Sequence, residues 1–344
     1  MGFGDFDTIC RKAALPVCTL VGPTNPLTGQ PGIIAECYSR TIDVANTLIF
    51  QGATGIAHIC ALIMTVIMII HVRGKFTAVG RKEITTFFYF YFLLTIASLL
   101  LDCGVVPPGS GAYPYFVAIQ NGLTSAMCIC LMINGFVGFQ LYEDGTTLSV
   151  WLLRVCTAIM FVITFLVSLA TFKSWGACSP TQTTGLFVVL YILSAIYMFV
   201  YVVMQVLLVI GTLQDRWPLG HIAWGVFFLV VGQLLLYVFN PEICDSIKHY
   251  MDGTLFAAIC NLFAVMMVYK YWDSITKEDL EFSVGTKPNN WDLKQKYLDE
   301  EDEKRNTMYM QYNDSADYNG GGGYASSMYH APPRRTSVHG SFSH

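Results

Sequence analysis

A chain of 344 residues with 13% charged residues, 54% hydrophobic residues and a positive mean hydropathy is too apolar for a soluble protein, where about a quarter of residues are charged. Its formal net charge of −4 supplies no basic surface for nucleic acid. These figures exclude a soluble enzyme and a nucleic-acid binder, and they leave a membrane protein with the lipid bilayer as its first partner.

The N-terminal stretch 1–45 is rich in Pro, Gly and Thr, with Phe3, Phe6, Ile9 and Leu15 as early apolar anchors; it predicts a small cap pinned by cysteines. Met1–Leu20 has no continuous apolar core, so no cleavable signal peptide is expected and the first span acts as the targeting signal. Met1-Gly2 does not begin a myristoylation motif, which wants Ser or Thr where this chain has Phe6.

A bilayer core about 30 Å thick takes roughly 20 apolar residues of helix to cross. Seven such stretches occupy 46–272: Asn46–Ile70, Thr85–Leu101, Tyr115–Leu141, Leu148–Phe172, Thr184–Ile210, Ile222–Phe239 and Thr254–Tyr271. The predicted fold is an all-α membrane protein, a bundle of seven transmembrane helices. Arg73, Lys75, Arg81 and Lys82 fill the first connection, whereas the next one, 102–114, has no Lys or Arg. Excess Lys and Arg mark cytoplasmic loops, so the N-terminus is expected in the lumen and the C-terminus in the cytosol. Arg216, Lys270 and Lys277 then face the cytosol, and Lys173 and Lys248 the lumen.

Of eleven cysteines, this topology puts Cys10, Cys18, Cys37, Cys103, Cys178 and Cys244 in the lumen and the other five inside spans. An even lumenal set fits an oxidising compartment and disulfides. The sequence does not choose their pairing, and any one of them can equally be a small buried residue.

The opening lumenal loop is turn-rich. Pro107 and Pro108 fix φ, and Gly109 and Gly111 after them permit positive φ. It predicts a rigid clasp in which Asp102, Tyr113 and Pro114 define the fold or a contact. Cys103 is available to tie it to Cys10, Cys18, Cys37, Cys178 or Cys244. On the cytosolic side, Lys75–Arg81 and Tyr142–Thr147, with Glu143 and Asp144, are further candidate contact or fold-defining segments.

Span interiors offer mainly neutral polar groups: His58, Gln120, Asn121, Asn134, Gln205, Gln233 and Asn261, with Arg154 near a membrane boundary. Ionisable chains that mark transport paths are scarce, so these residues read as helix–helix glue; Gly122 and Ala126, four apart, suit close packing in the same way. Asn134, Gln205 and Gln233 could also hydrogen-bond a partner's spans if they face outward. His58-Ile-Cys60 and Cys128-Ile-Cys130 lack a partner set at metal-ligand spacing. Ser110 is not in a Gly-x-Ser-x-Gly elbow, and nothing in the sequence brings Asp102, Ser110 and His249 together. Gln214-Asp-Arg-Trp217 is one residue short of the Gln-x-x-Arg-Trp of processive glycosyltransferases. No catalytic residue, cofactor or metal site is expected.

The chain then leaves the membrane. A charged juxtamembrane segment, 273–305, comprises a short polar piece, Asp273–Phe282, and a charged helix over Trp291–Arg305. The tail 306–344, rich in Gly, Ser, Tyr and Asn, has the composition of disorder. Asp299, Glu301 and Glu303 have the acid-x-acid spacing of export signals read by vesicle-coat cargo adaptors, and equally the composition of a plain solvated stretch. Arg334-Arg-Thr-Ser337 fits a basophilic kinase site with Ser337 as acceptor. The sequon Asn313-Asp-Ser315 falls on the cytosolic side and is expected to stay unmodified.

Asp102-Cys-Gly-Val-Val-Pro-Pro-Gly-Ser-Gly-Ala-Tyr-Pro-Tyr-Phe-Val-Ala-Ile-Gln120 closely resembles the fungal chitin synthase export chaperones of the endoplasmic reticulum. The resemblance extends over Phe3–Cys10, Leu15–Cys18, Cys37–Asn46, Lys75–Arg81, Tyr142–Thr147, Ile243–Gly253, Met267–Asp273 and Asp279–Phe282, and so covers 1–282; from Ser283 onward no likeness is seen. It implies a non-enzymatic role: a multi-pass membrane protein that binds chitin synthase and lets it fold and leave for the cell surface in support of wall chitin. It implies residence in the endoplasmic reticulum membrane, and leaves open whether the protein accompanies its client to later compartments or the plasma membrane. The alternative is a seven-span receptor or small-solute transporter that shares only topology. Against that stand the absence of proline from the seventh span and of Asp-Arg-Tyr after the third.

Overall fold

Long apolar runs become helices here because a bilayer leaves backbone N–H and C=O groups no partner except one another. The computed structural model describes residues 4–24, 31–44, 47–76, 78–139, 147–176, 178–212 and 216–285. Before the first span come a short helix, α1 (Asp7–Lys12), a 3₁₀ turn (Pro16–Thr19) and a two-stranded antiparallel hairpin, β1 (Ile42–Val44) with β2 (Thr47–Ile49), in which Ile42 pairs with Ile49.

Among the described residues, seven helices are long and apolar enough to cross a membrane. They are α2 (Gly52–Gly74), α3 (Arg81–Asp102), α4 (Tyr113–Val137), α5 (Thr147–Phe172), a fifth span Thr184–Thr212, α8 (Trp217–Tyr237) and the membrane part of α10 (Gly253–Gly285). The fifth span is built from α6 (Thr184–Phe187), a π-helical turn (Val188–Ile192) and α7 (Leu193–Thr212). A short helix, α9 (Asn240–Ser246), joins α8 to α10. Residues 1–283 form one compact unit.

Several boundaries differ from the sequence reading: α3 starts at Arg81 rather than Thr85 and α8 at Trp217 rather than Ile222, and two further differences have a local cause. The first span starts at Gly52 rather than Asn46, because Thr47-Leu-Ile49 is drawn into the hairpin and Gln51 turns the chain at φ 44°. An apolar stretch continuous with a span is by itself as compatible with a strand. At the other end, α10 continues through Gly285, so the polar piece after Asp273 prolongs the last helix.

Helix α4 is the hub, packed against α3, α5 and α7 and with the most buried apolar stretch of the seven. Gly122 allows the approach to α5: a Cβ there would lie 2.9 Å from the Phe161 ring. Threonines hide their hydroxyls on their own helices, as in Thr65 to the Ala61 carbonyl at 2.6 Å and Thr95 to Tyr91 at 2.8 Å. Two large apolar cores result, with a small third one of Ala13, Leu236 and Ala257. One, at the basic end, gathers Val72, Phe87, Phe88, Leu131, Leu153 and Trp272. The other is shared between bundle and N-terminal segment, with Phe6, Val17 and Val21 packed among Leu101, Val117 and Leu186.

Candidate functional site

At the end of the bundle where α2 begins and α3 ends, the N-terminal segment is fastened by groups from every direction. Phe6, 1% exposed, sits edge-on to Phe187 and Tyr191 at 5.9 and 5.8 Å. Tyr113 donates its hydroxyl to the Pro16 carbonyl at 3.1 Å, and Thr183 donates to the Gly4 carbonyl at 2.9 Å. Asn240, fully buried, donates through Nδ2 to the Lys12 carbonyl at 2.5 Å and accepts from the Gly253 N–H through Oδ1 at 2.5 Å. The cap is therefore a plug continuous with the bundle core.

Of the six candidate disulfide cysteines, the structure joins Cys10 to Cys18 and Cys37 to Cys244, and leaves Cys103 and Cys178 as thiols. The second bridge ties the cap to α9, and His249 Nδ1 lies 2.9 Å from Cys37 Sγ and 3.4 Å from Cys244 Sγ. Those sulfurs are bonded to each other, so the three residues offer no thiolate pair to a metal.

Cys103 is not the tie the sequence allowed. It closes α3 and lies against Gly55 of α2, where a Cβ would come within 2.6 Å of its sulfur. Burial, then the neighbouring charge of Asp102, pushes its thiol pKa up. Asp102 itself reaches His58 of α2, Oδ2 to Nε2 at 2.9 Å, a pairing that a separation of 44 residues hides in the sequence. Asp252 closes this end. It is 1% exposed and its Oδ1 accepts from the Leu255 N–H at 3.3 Å to cap α10. Its carboxyl pKa is raised above 3.8, mainly by burial and secondarily by the charge of Asp102.

The loop between α3 and α4 has a different hinge from the expected one. Gly104, at φ 73°, takes the left-handed backbone, whereas Gly109 and Gly111 do not. Pro107 instead accepts from the Ser110 N–H at 2.9 Å, and Ser110 from the Tyr113 N–H at 3.2 Å, two consecutive turns leading into Pro114 in the first turn of α4. Pro107, Pro108, Gly109 and Gly111 are exposed, while Tyr113 is buried.

The opposite, basic end holds a cavity of about 300 Å³ between the start of α3 and helices α4, α7 and α10. Asn134, Gln205, Tyr271, Thr212 and Thr276 line it with neutral polar groups beside Leu208 and Val268. Gln205 is 3% exposed, and Asn134 donates to the Cys130 carbonyl at 2.8 Å, so neither amide faces lipid; Gln233 on α8 is half-buried. The Tyr271 hydroxyl is buried with no hydrogen-bond partner. At the rim, Lys75 pairs with Asp273, and the Trp272 indole N–H donates to the Val79 carbonyl at 3.1 Å. These contacts join Lys75 and Val79, between α2 and α3, to Trp272 and Asp273 in the middle of α10.

Glu83 is a residue the sequence reading missed. It sits in the first turn of α3, is fully buried, and accepts from the Ser149 hydroxyl at 3.1 Å. A carboxylate at a helix N-terminus is favoured by the helix dipole, and the run Arg81-Lys82-Glu83 had read as loop. Glu83 is the one signal there: an acid next to two bases at the start of an apolar run. Glu143, Asp144, Asp299, Glu301, Glu303 and Ser337 lie outside the described residues.

Comparison with known proteins now gives this architecture a family. The model of the chitin synthase export chaperone family matches residues 2–286, ending where α10 ends. A chitin synthase export chaperone of Aspergillus fumigatus is 64% identical over 340 residues, covering 99% of both chains. One from Aspergillus oryzae is 64% identical over 330 residues, 96% of this chain and 97% of the relative, and one from Chaetomium globosum is 66% identical over 309 residues, 90% and 92%. The Aspergillus matches run into the tail, where the sequence alone had shown no likeness. No solved structure matches the chain. On a family model that spans the whole bundle and relatives this similar over nearly their full length, the chain belongs to the chitin synthase export chaperone family.

Proposed function

We propose that this protein is a membrane chaperone of the endoplasmic reticulum that binds chitin synthase and enables its folding and export towards the plasma membrane. The observation that carries the proposal is the near-complete coverage by relatives bearing that name, at 60–66% identity. Membership in a family of chaperones fits a chain in which many polar groups serve packing: Thr65, Thr95 and Asn134 bond to their own helices, and Tyr113, Thr183 and Asn240 to the N-terminal segment. In mechanism, the lipid-facing sides of the bundle act as temporary partners for spans of the client that are still unpacked. Gln233, half-exposed on α8, is the amide placed to hydrogen-bond such a span.

The cap lies in the lumen and the basic end in the cytosol. Two features support this: the disulfides Cys10–Cys18 and Cys37–Cys244 at one end, and Arg73, Lys75, Arg81 and Lys82 at the other. In the cytosolic tail, Asp299, Glu301 and Glu303 serve as an export signal for vesicle-coat adaptors and Ser337 as a phosphorylation site.

Deleting the gene in a chitin-walled host tests the function. Chitin synthase retained inside the cell and reduced wall chitin, both restored by re-expression, are the expected result; normal synthase traffic in the deletion strain would overturn it. A glycosylation acceptor engineered into the exposed 107–111 turn tests orientation, and becomes modified only if that loop is lumenal.

A further inference from the structure

Cys37 and Cys244 stand 207 residues apart and meet beneath one imidazole: His249 Nδ1 lies 2.9 Å from Cys37 Sγ and 3.4 Å from Cys244 Sγ. The backbone is bent to put it there. Lys248 and His249 are consecutive non-glycine residues in the left-handed region, at φ 56° and 65°, a conformation that side chains rarely adopt and that gathers at functional positions. Backbone hydrogen bonds hold the turn: Lys248 N–H to the Asp245 carbonyl at 3.2 Å, His249 N–H to the Cys244 carbonyl at 2.9 Å, and Arg40 N–H to the His249 carbonyl at 2.7 Å. His249 is exposed, whereas Cys37 and Cys244 are 4% and 0% exposed.

That arrangement suits proton traffic better than metal binding. Two sulfurs and one imidazole are one ligand short of a closed tetrahedral zinc site, and among the described residues no further His, Cys, Asp or Glu joins them. Among the described residues no ion pair fixes the charge of the ring. The charged groups on the two segments that meet here, Glu36 and Arg40 before β1 and Glu242, Asp245 and Lys248 around α9, are all exposed, and the Arg40 guanidinium is turned onto the Tyr250 ring at 4.8 Å. A thiol must lose its proton before it can attack a disulfide, and burial opposes that loss. A neutral Nδ1 in reach of both sulfurs removes the obstacle, by taking the proton and leaving a thiolate beside an imidazolium.

We propose that His249 is the acid–base group of a thiol–disulfide exchange site that closes the Cys37–Cys244 bridge at the expense of a disulfide oxidant. Chain proximity sets the order. Cys244 and His249 are five residues apart and joined by their own backbone hydrogen bond, so Cys244 is activated before the cap arrives. It gives its proton to Nδ1, and the thiolate attacks one sulfur of the oxidant. A bond forms from Cys244 Sγ to that sulfur, the oxidant's own S–S bond breaks, and the departing thiolate takes the proton back from the imidazolium. When the cap brings in Cys37, its thiol gives its proton to the same nitrogen and the thiolate attacks Cys244 Sγ. The Cys37–Cys244 bond forms, the mixed disulfide breaks, and the second thiolate leaves with the proton. Two cysteine thiols are oxidised, one disulfide is reduced to two thiols, and His249 is returned unchanged. Burial of both cysteines then shields the closed bridge from the reverse reaction. This rests on the proposed lumenal placement of the cap, since disulfides form in oxidising compartments.

The full-length protein is translated into microsomes under reducing conditions, oxidised glutathione is added, and both bridges are followed by alkylation of the remaining thiols and mass spectrometry. An ordinary thiol, with a pKa of about 8.5, is only about 3% ionised at about pH 7. A base can therefore raise the thiolate fraction by at most about thirtyfold, part of which is lost because a better stabilised thiolate attacks more slowly. His249→Asn suits the left-handed backbone but cannot take a proton; it is expected to slow closure of Cys37–Cys244 by about tenfold and to leave Cys10–Cys18 at the wild-type rate. The gap is expected to narrow as pH rises through the thiol range, around 8.5, where the cysteines ionise unaided. His249→Gly, which fits the turn better than histidine, is expected to be as slow as His249→Asn. Closure at the wild-type rate or faster in both variants overturns the proposal and leaves His249 shaping the turn only. So does a slowing that pH does not relieve, or one that Cys10–Cys18 shares. If neither bridge forms in the wild type, the lumenal placement falls and the proposal with it.

Discussion

Lys75, just past α2, pairs with Asp273 on α10, across 198 residues of sequence, and its ammonium lies 5.7 Å from the centroid of the Trp272 ring. The pair is neither in open water nor sealed, with side chains 24% and 11% exposed. Solvent screening thus takes part of its strength and desolvation part of the rest. It locks the α2–α3 connection onto the last helix beside the polar cavity. A double-mutant cycle with Lys75→Ala and Asp273→Ala, read by thermal unfolding in detergent, is expected to give a coupling of about 1 kcal/mol. Strict additivity would show that the contact contributes nothing of its own.

Asn240 makes the corresponding tie at the other end, with its two amide atoms serving two separate backbone groups, the Lys12 carbonyl and the Gly253 N–H. Asn240→Ala strands both: the buried Gly253 N–H at roughly 1–3 kcal/mol, and the part-buried Lys12 carbonyl at less. Asn240→Asp keeps the acceptor for Gly253, loses the donor for Lys12 and buries a charge, so it is not a rescue. Both variants are expected to speed tryptic cleavage at Arg11 and Lys12. Unchanged cleavage would mean that the cap is held without Asn240.

What the sequence makes legible follows from the range of the forces involved. Span positions are local: Leu148–Phe172 is predominantly apolar, with Arg154 its one charged residue, and the last residue of that helix falls where hydropathy put it. Pairings across the bundle are not local. His58 and Asp102 read as a packing residue and a loop residue until α2 and α3 place them side by side. Asn134 and Gln205 carry no mark of which way they face, because the surrounding residues are apolar on every side of their helices. Gly104 shows the same limit on a smaller scale. Two prolines drew attention to Gly109 and Gly111, but the left-handed turn is needed earlier, where the chain leaves α3 and the Phe50 ring packs within 2.2 Å of where a Cβ would stand.

The two disulfides close loops of very different length, 8 residues for Cys10–Cys18 and 207 for Cys37–Cys244. Chain entropy alone favours the longer one by up to about 3 kcal/mol, an upper bound here because spans that remain in the bilayer already restrict the unfolded chain. Cys37→Ser with Cys244→Ser is therefore expected to lower the midpoint of thermal unfolding more than Cys10→Ser with Cys18→Ser. The reverse order would mean that the short bridge is the main fastening of the cap.

Asp252 supplies a pH dependence whose sign can be worked out. Burial, with the charge of Asp102 second, raises its pKa in the folded state above 3.8, so the folded protein holds this proton more tightly than the unfolded chain does. The carboxylate consequently costs stability above its folded pKa, and the cost disappears as pH falls towards 3.8. Asp252→Asn retains an oxygen for the Leu255 N–H, and hence the cap of α10, while removing the buried charge. The variant is expected to unfold at a higher temperature than wild type near neutral pH, with the difference shrinking as the solution is acidified. A variant less stable than wild type at neutral pH would show that Asp252 is held as an anion by a partner worth more than its burial costs.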